Sequence, residues 1–137
     1  MKSNRPILVV EDDLVDAMTV KRALKEIEVS NEVIVKQNGE DALEYLQSEI
    51  MELPAIILLD LNMPRMNGIE FLRTIKQDEK LLSIPVVVLT TSRSEQDKLD
   101  SYKLGVAGYI IKSVNYQEFV EMIKKIENYW DICEFPI

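Results

Sequence analysis

Residues 56–68 read Ile56-Ile57-Leu58-Leu59-Asp60-Leu61-Asn62-Met63-Pro64-Arg65-Met66-Asn67-Gly68. Four apolar residues run without interruption into an acid, and a turn-prone stretch ending in Asn67-Gly68 follows. A short, continuous apolar run of this kind fits a parallel strand covered on both faces better than a strand with one wet face. The acid then falls where the strand ends and the chain turns toward its next element.

The same pattern recurs outward in both directions. Apolar runs rich in β-branched residues lie at Ile7–Val10, Val33–Val35, Val86–Leu89 and Tyr109–Ile111. The run at Val33 has Asn31, Glu32 and Lys36 around it and reads as an edge strand; the other four are nearly continuous. Longer segments with helical spacing separate the runs. Ala42, Leu43, Leu46 and Ile50 share one helix face, and Tyr116, Phe119, Val120, Ile123 and Ile126 share another. Asn115 with Glu118 three residues on marks a helix start, and Gly105 marks a helix end or turn.

Strand and helix therefore alternate five times, which predicts a doubly wound α/β fold with right-handed crossovers. The expected architecture is a flavodoxin-like three-layer sandwich whose five parallel strands take the order 2-1-3-4-5. The carboxyl ends of strands one, three, four and five then share one edge, where such sheets bind ligands.

That edge collects a specific chemistry. Strand one is followed by Glu11, Asp12 and Asp13, strand three by Asp60, strand four by Thr90-Thr91 and strand five by Lys112. Taken singly each has an ordinary explanation: a turn or helix cap for an Asp, β-propensity for a Thr, a solvated charge for a Lys. Their coincidence on one edge is what points to a site. Facing carboxylates repel by about 3 kcal/mol per close pair at an effective dielectric near 20, and a hard divalent cation relieves this. Mg²⁺ suits, since it binds one or two carboxylates and keeps water and phosphate oxygens as its other ligands.

Roles follow from the chemistry. Asp60 is the expected nucleophile, forming an acyl phosphate. Asp12 and Glu11 are the expected metal holders beside Asp60, with the backbone carbonyl of Asn62 also in reach. Lys112 and the metal would neutralise the transferring phosphoryl group, and Thr90 would donate its hydroxyl to a phosphate oxygen.

The strings ILVVEDD, LLDLNMPRMNG, VVVLTTS and GYIIK, in that order, resemble the response-regulator receiver family of two-component signalling. The resemblance runs from about Arg5 to Tyr129 and leaves residues 130–137 as a C-terminal extension of a single domain spanning 1–137. It implies phosphotransfer from a sensor histidine kinase to Asp60, with Glu11, Asp12, Thr90 and Lys112 as partners. It also implies that Tyr109 is an aromatic whose rotamer follows phosphorylation, against the plainer reading of a half-buried packing residue.

Three positions depart from the family pattern. Ser113 stands where many receivers carry a proline after a cis peptide; a cis bond before serine would cost about 2.5–4 kcal/mol, so a strained or differently built loop is expected. Thr91 replaces the small residue usual after the switch threonine and is expected to slow attack by water. The acidic pair begins with Glu11 in place of Asp. The Lys112-Ser113 pair and the ending with Tyr129-Trp130 are similar to regulators paired with bacterial phytochromes.

Composition bounds the alternatives. The chain has 137 residues, 47% hydrophobic and 29% charged, with a net charge of −8. That balance argues for a packed domain and against a nucleic-acid surface. No apolar run is long enough to cross a bilayer and the start lacks a signal peptide, so a cytoplasmic location is expected. Cys133 is the one cysteine, which removes an internal disulfide and a cysteine-rich zinc site. There is no histidine, so triad catalysis and a phosphohistidine on this chain are both excluded, and any phosphoryl donor is another molecule.

A phosphatase of the haloacid-dehalogenase type also forms an aspartyl phosphate, but it needs a second Asp two residues past the nucleophile as general acid and base. Asn62 occupies that position, so a held phosphate is expected instead of turnover. A receiver-like binding module that is never phosphorylated is the other alternative; intact Asp60, Thr90 and Lys112 speak against it. A flavin or dinucleotide site lacks its glycine-rich loop. With few residues after the last helix, output through contacts with a downstream protein is expected. The apolar ending Trp130, Ile132, Phe135, Pro136, Ile137 suggests either a fold-back onto its own helix or a homodimer contact.

Overall fold

The computed structural model describes residues 3–48 and 52–134. Five strands and five helices alternate: β1 Ile7–Val10, α1 Leu14–Glu26, β2 Val33–Lys36, α2 Gly39–Gln47, β3 Ile56–Leu59, α3 Gly68–Lys76, β4 Val86–Thr90, α4 Glu95–Lys103, β5 Gly108–Ile111 and α5 Tyr116–Ile132. All pairings are parallel and the order is β2-β1-β3-β4-β5, as expected.

Side-chain alternation along the strands divides the core into two layers. Leu8, Val10, Ile57, Leu59, Val86 and Val88 face α2 and α3, meeting Leu46, Phe71, Leu72 and Ile75. Ile7, Val9, Ile56, Leu58, Val87 and Leu89 face α1 and α5, meeting Val20, Leu24, Phe119, Val120, Ile123 and Trp130. Being covered on both sides is why β1, β3 and β4 are fully buried and read as unbroken apolar runs.

β5 differs from that expectation. It is half-buried along its length, as β2 is, because it forms the second edge of the sheet and pairs only with β4.

The helix starts are built locally. Asn67 opens α3 with a reciprocal capping box: its side chain accepts from Glu70 N at 3.0 Å while the Glu70 carboxylate accepts from Asn67 N at 3.1 Å. At α5 only half of that motif forms. Asn115 accepts from Glu118 N at 3.0 Å, but the Glu118 carboxylate takes the Ser113 hydroxyl at 2.9 Å.

The last helix also runs further than the sequence pattern suggested. α5 continues to Ile132, and Trp130 is buried in the α1/α5 layer, so the start of the expected extension is helix. Ile132 projects outward at 77% exposure. Ile50, Phe135, Pro136 and Ile137 lie outside the described residues.

Candidate phosphoacceptor site

Glu11, Asp60 and Lys112 stand one residue past β1, β3 and β5, and the sheet itself fixes them there. Glu11 N donates to Lys36 O at 2.9 Å, Asp60 N to Val10 O at 3.0 Å and Lys112 N to Thr90 O at 2.8 Å. Each bond continues a strand ladder by one step. The backbones of Glu11, Asp60 and Lys112 are thus held as firmly as strand residues while their side chains leave the sheet at its carboxyl edge.

Glu11, Asp12 and Asp60 each offer a carboxylate oxygen within 4.8 Å of the others. Glu11 and Asp60 are buried, at 3% and 8% exposure, and Asp12 is exposed. Asp60 Oδ1 is buried with no hydrogen-bond partner, a costly state for a carboxylate oxygen. Such an oxygen-only set, one buried atom of which lacks a partner, fits a hard divalent cation.

Lys112 is the counter-charge. Its ammonium donates to Glu11 Oε1, lies 3.0 Å from Asp16 Oδ2 and stands 3.7 Å from Asp60 Oδ2. Burial pushes the Glu11 carboxyl up to about 7; the Lys112 bond opposes that rise and the charge of Asp60 adds to it. For Lys112 burial disfavours the charge, but the bonds to Glu11 and Asp16 and the field of Asp60 prevail and raise it above the ordinary lysine value. Glu11 Oε2 also accepts from Asp13 N at 3.2 Å. Asp13 itself caps α1, accepting from Val15 N at 2.9 Å and Asp16 N at 3.1 Å.

On the β4 side, Thr90 is fully buried and its hydroxyl oxygen accepts from Ser92 N at 3.2 Å. Thr91 is exposed, as is Asn62 beyond Asp60. Tyr109 packs against the α2/α3 layer, and its hydroxyl donates to Ser92 O at 2.9 Å. Tyr109 is thus a half-buried packing residue, as the plainer reading has it, with its hydroxyl tied to the segment after β4. Among the described residues no peptide bond is cis, so the Lys112-Ser113 bond is trans. That loop also has no residue at positive φ. Ser113 takes part instead in the start of α5, accepting from Asn115 N at 3.2 Å.

Two residues were not picked out from the sequence. Asp16 lies on the first turn of α1, where an acid has the ordinary explanation of facing the helix dipole. Ser92 joins three elements: its hydroxyl donates to Asp97 Oδ2 at 2.6 Å, and its carbonyl holds Tyr109. Its one sequence signal is its place two residues after Thr90.

The β3–α3 loop is fastened from two sides. Gly39 N donates to Met66 O at 3.1 Å, and Arg65, at φ +63°, donates from Nε and Nη2 to Glu40 Oε2 at 3.0 and 2.6 Å. Gly68 packs so closely beneath the loop that a Cβ there would lie 2.7 Å from both Asp60 O and Leu61 Cα.

Comparison with known proteins agrees with this geometry. Residues 7–124 match the family model of the response regulator receiver domain. The chain belongs to the response regulator receiver family. Its relatives include the response regulator Rcp1 of a Synechocystis strain, 42% identical over 135 residues that span 94% of this chain and 92% of that protein. The phosphorylated cyanobacterial phytochrome response regulator RcpA superposes with a TM-score of 0.91 at 38% identity, covering 98% of this chain and 100% of that one. The Mn²⁺-bound form of Rcp1 gives 0.87 at 39% identity, covering 97% and 99%.

As a member of this family the receiver takes a phosphoryl group from a sensor histidine kinase and acts as a signalling switch. Among the described residues no helix is long and apolar enough to cross a membrane.

Proposed function

We propose that Asp60 is the phosphoacceptor, charged in a Mg²⁺-dependent transfer from a phosphohistidine of a phytochrome-type sensor kinase. The observation that carries this reading is Asp60 itself: a buried carboxylate with one oxygen unpartnered and the other 3.7 Å from Lys112. In the transfer an Asp60 carboxylate oxygen forms the new O–P bond as the donor's N–P bond breaks, and the donor imidazole leaves with the bond's electrons. Glu11, Asp12, Asp60 and the Asn62 carbonyl are the residues that would hold the metal. When bound, the ion supplies positive charge beside the phosphoryl oxygens. Lys112 supplies the second positive charge, and Thr90 is placed to donate its hydroxyl to a phosphate oxygen.

Asn62 supports a phosphate that is held, since an amide cannot serve as the general base that would activate water. Exposed Thr91 adds bulk directly after Thr90, so self-dephosphorylation is slow. The phytochrome-type donor rests on the likeness to RcpA, itself a phytochrome response regulator. We read residues 1–137 as one receiver unit working in the cytoplasm, where kinase and downstream protein target would meet it. A homodimer at the end of α5 is supported by exposed Tyr129 and Ile132 and by an open groove of about 700 Å³ that Ile110, Met122 and Ile126 help to line. Trp130, buried in its own layer, contributes its packing to α5 more than a contact surface.

Incubation with Mg²⁺ and acetyl phosphate, followed by intact-protein mass spectrometry, tests the central claim. One added phosphoryl group is expected, lost on omission of metal and in Asp60→Asn. Labelling that survives that substitution overturns the assignment.

A further inference from the structure

We propose that Asp16 is a positioning residue for Lys112, competing with the phosphoryl group on Asp60 for the ammonium and so weakening the grip of the charged state. The inference rests on the phosphoacceptor reading of Asp60 and adds to it a carboxylate that the chemistry of transfer does not require.

An ammonium has three N–H donors. Here Glu11 takes one and Asp16 another, at 3.0 Å, while Asp60 Oδ2 stands beyond hydrogen-bond distance at 3.7 Å. Lys112 is thus drawn toward α1 and away from the acceptor. Glu11 has a second task, as one of the three carboxylates grouped closely enough to share a cation. Asp16 is outside that group, so its charge stays with Lys112 whether or not the group is occupied. One N–H remains for the phosphoryl oxygens, and Asp16 is the partner that holds the ammonium off them.

The local build suits this role. The Asp16 backbone N–H is satisfied by the Asp13 cap at 3.1 Å, which fixes the first turn and leaves the side chain to reach Lys112 across 96 residues of sequence. Helix-dipole stabilisation alone would be served by an acid pointing anywhere on that turn, and it gives no reason for the contact with Lys112. The Asp16 side chain is 42% exposed, against 10% for Lys112. Solvent screening therefore limits the competition to the size of a partly exposed ion pair, about two- to fivefold in an equilibrium constant.

The test is the affinity for beryllium fluoride, a tetrahedral phosphoryl mimic, followed by fluorine NMR with saturating Mg²⁺. Asp16→Asn keeps the shape and removes the charge; it should bind the mimic two- to fivefold more tightly, with at most a small fall in melting temperature from the lost first-turn charge. Asp16→Glu should restore wild-type affinity, and added salt should shrink the difference between Asn and Asp. Unchanged or weaker binding by Asp16→Asn overturns the proposal. Failure of the acceptor reading shows separately, as acetyl phosphate labelling that persists in Asp60→Asn.

Discussion

The two loops on either side of Asp60 and Thr90 are built on opposite principles. The β3–α3 loop is clamped by close backbone contacts, Gly39 to Met66 and Gly68 against Asp60 and Leu61, with a full side-chain capping box at Asn67 added. The β4–α4 segment hangs on side-chain hydroxyls, Ser92 to Asp97 and Tyr109 to Ser92, and leads into a helix whose one buried residue is Ser101. Backbone contacts between close-packed groups yield little, whereas a few hydroxyl bonds over a shallow helix exchange at small cost. The difference places a rigidly held Asp60, the proposed acceptor, beside a segment that can rearrange. A switch needs this division, because the charge must arrive at a fixed place and its effect must appear somewhere else.

The sharpest way to break this comparison is Gly68→Ala. In an unobstructed helix the change is favourable by up to about 1 kcal/mol. At this position the new Cβ meets Asp60 O and Leu61 Cα at 2.7 Å, both of them backbone that cannot step aside. Overpacking of this kind costs about 1–3 kcal/mol, so net destabilisation is expected, read as a lower urea midpoint. Because the displaced atoms carry Asp60, divalent-cation affinity should fall as well. A Gly68→Ala protein as stable as wild type would mean that the loop is not clamped.

Tyr109→Phe probes the other side with a smaller effect. It removes the hydroxyl that donates to Ser92 O and leaves the ring against the core. One hydrogen bond of this kind contributes about 0.5–1.5 kcal/mol. Hydrogen exchange should speed up at the amides of Ser92 and Ser94, while those of Gly68 and Phe71 stay protected. Equal acceleration in both loops would dissolve the distinction between them.

How much of this was legible in the sequence depended on distance along the chain. β1, β3 and β4 declare themselves because burial on both faces leaves almost only apolar residues; Glu11 and Asp60 are found by stepping one position past β1 and β3, and Thr90 closes β4. β5 reads like those three, yet it is an edge: Tyr109 and Ile111 are apolar enough to look covered, and only the strand order shows otherwise. Asp16 was invisible for a different reason. Its partner is 96 residues away, and nothing local separates it from an ordinary first-turn acid. The Ser113 loop is expected to be strained or differently built where a proline is missing, and it is differently built, with a trans peptide and no residue at positive φ. Nothing in the local sequence shows that Ser113, Asn115 and Glu118 would instead share their hydrogen bonds at the start of α5. The extent of α5 past Tyr129 follows from Trp130, whose burial between layers is a tertiary fact.

The smallest effect is expected on α4, and it sharpens the comparison because it is small. Leu99 and Tyr102 are large apolar residues exposed at 49% and 54% on this helix. Removing a buried side chain of that size costs about 2–5 kcal/mol, and Phe71→Ala on α3 should cost about 3–5 kcal/mol through lost burial and the cavity together. Leu99→Ala removes contacts that the folded protein barely makes, so its unfolding free energy should stay within about 0.5 kcal/mol of wild type. A loss above about 1 kcal/mol would show that α4 is packed as firmly as α3, and the soft side of the molecule would have to be sought elsewhere. An unchanged midpoint leaves Leu99 and Tyr102 with no structural reason to be apolar within the isolated domain. Large apolar residues on the least anchored helix, next to the loop that Tyr109 and Ser92 tie to Thr90, are then surface that folding does not require.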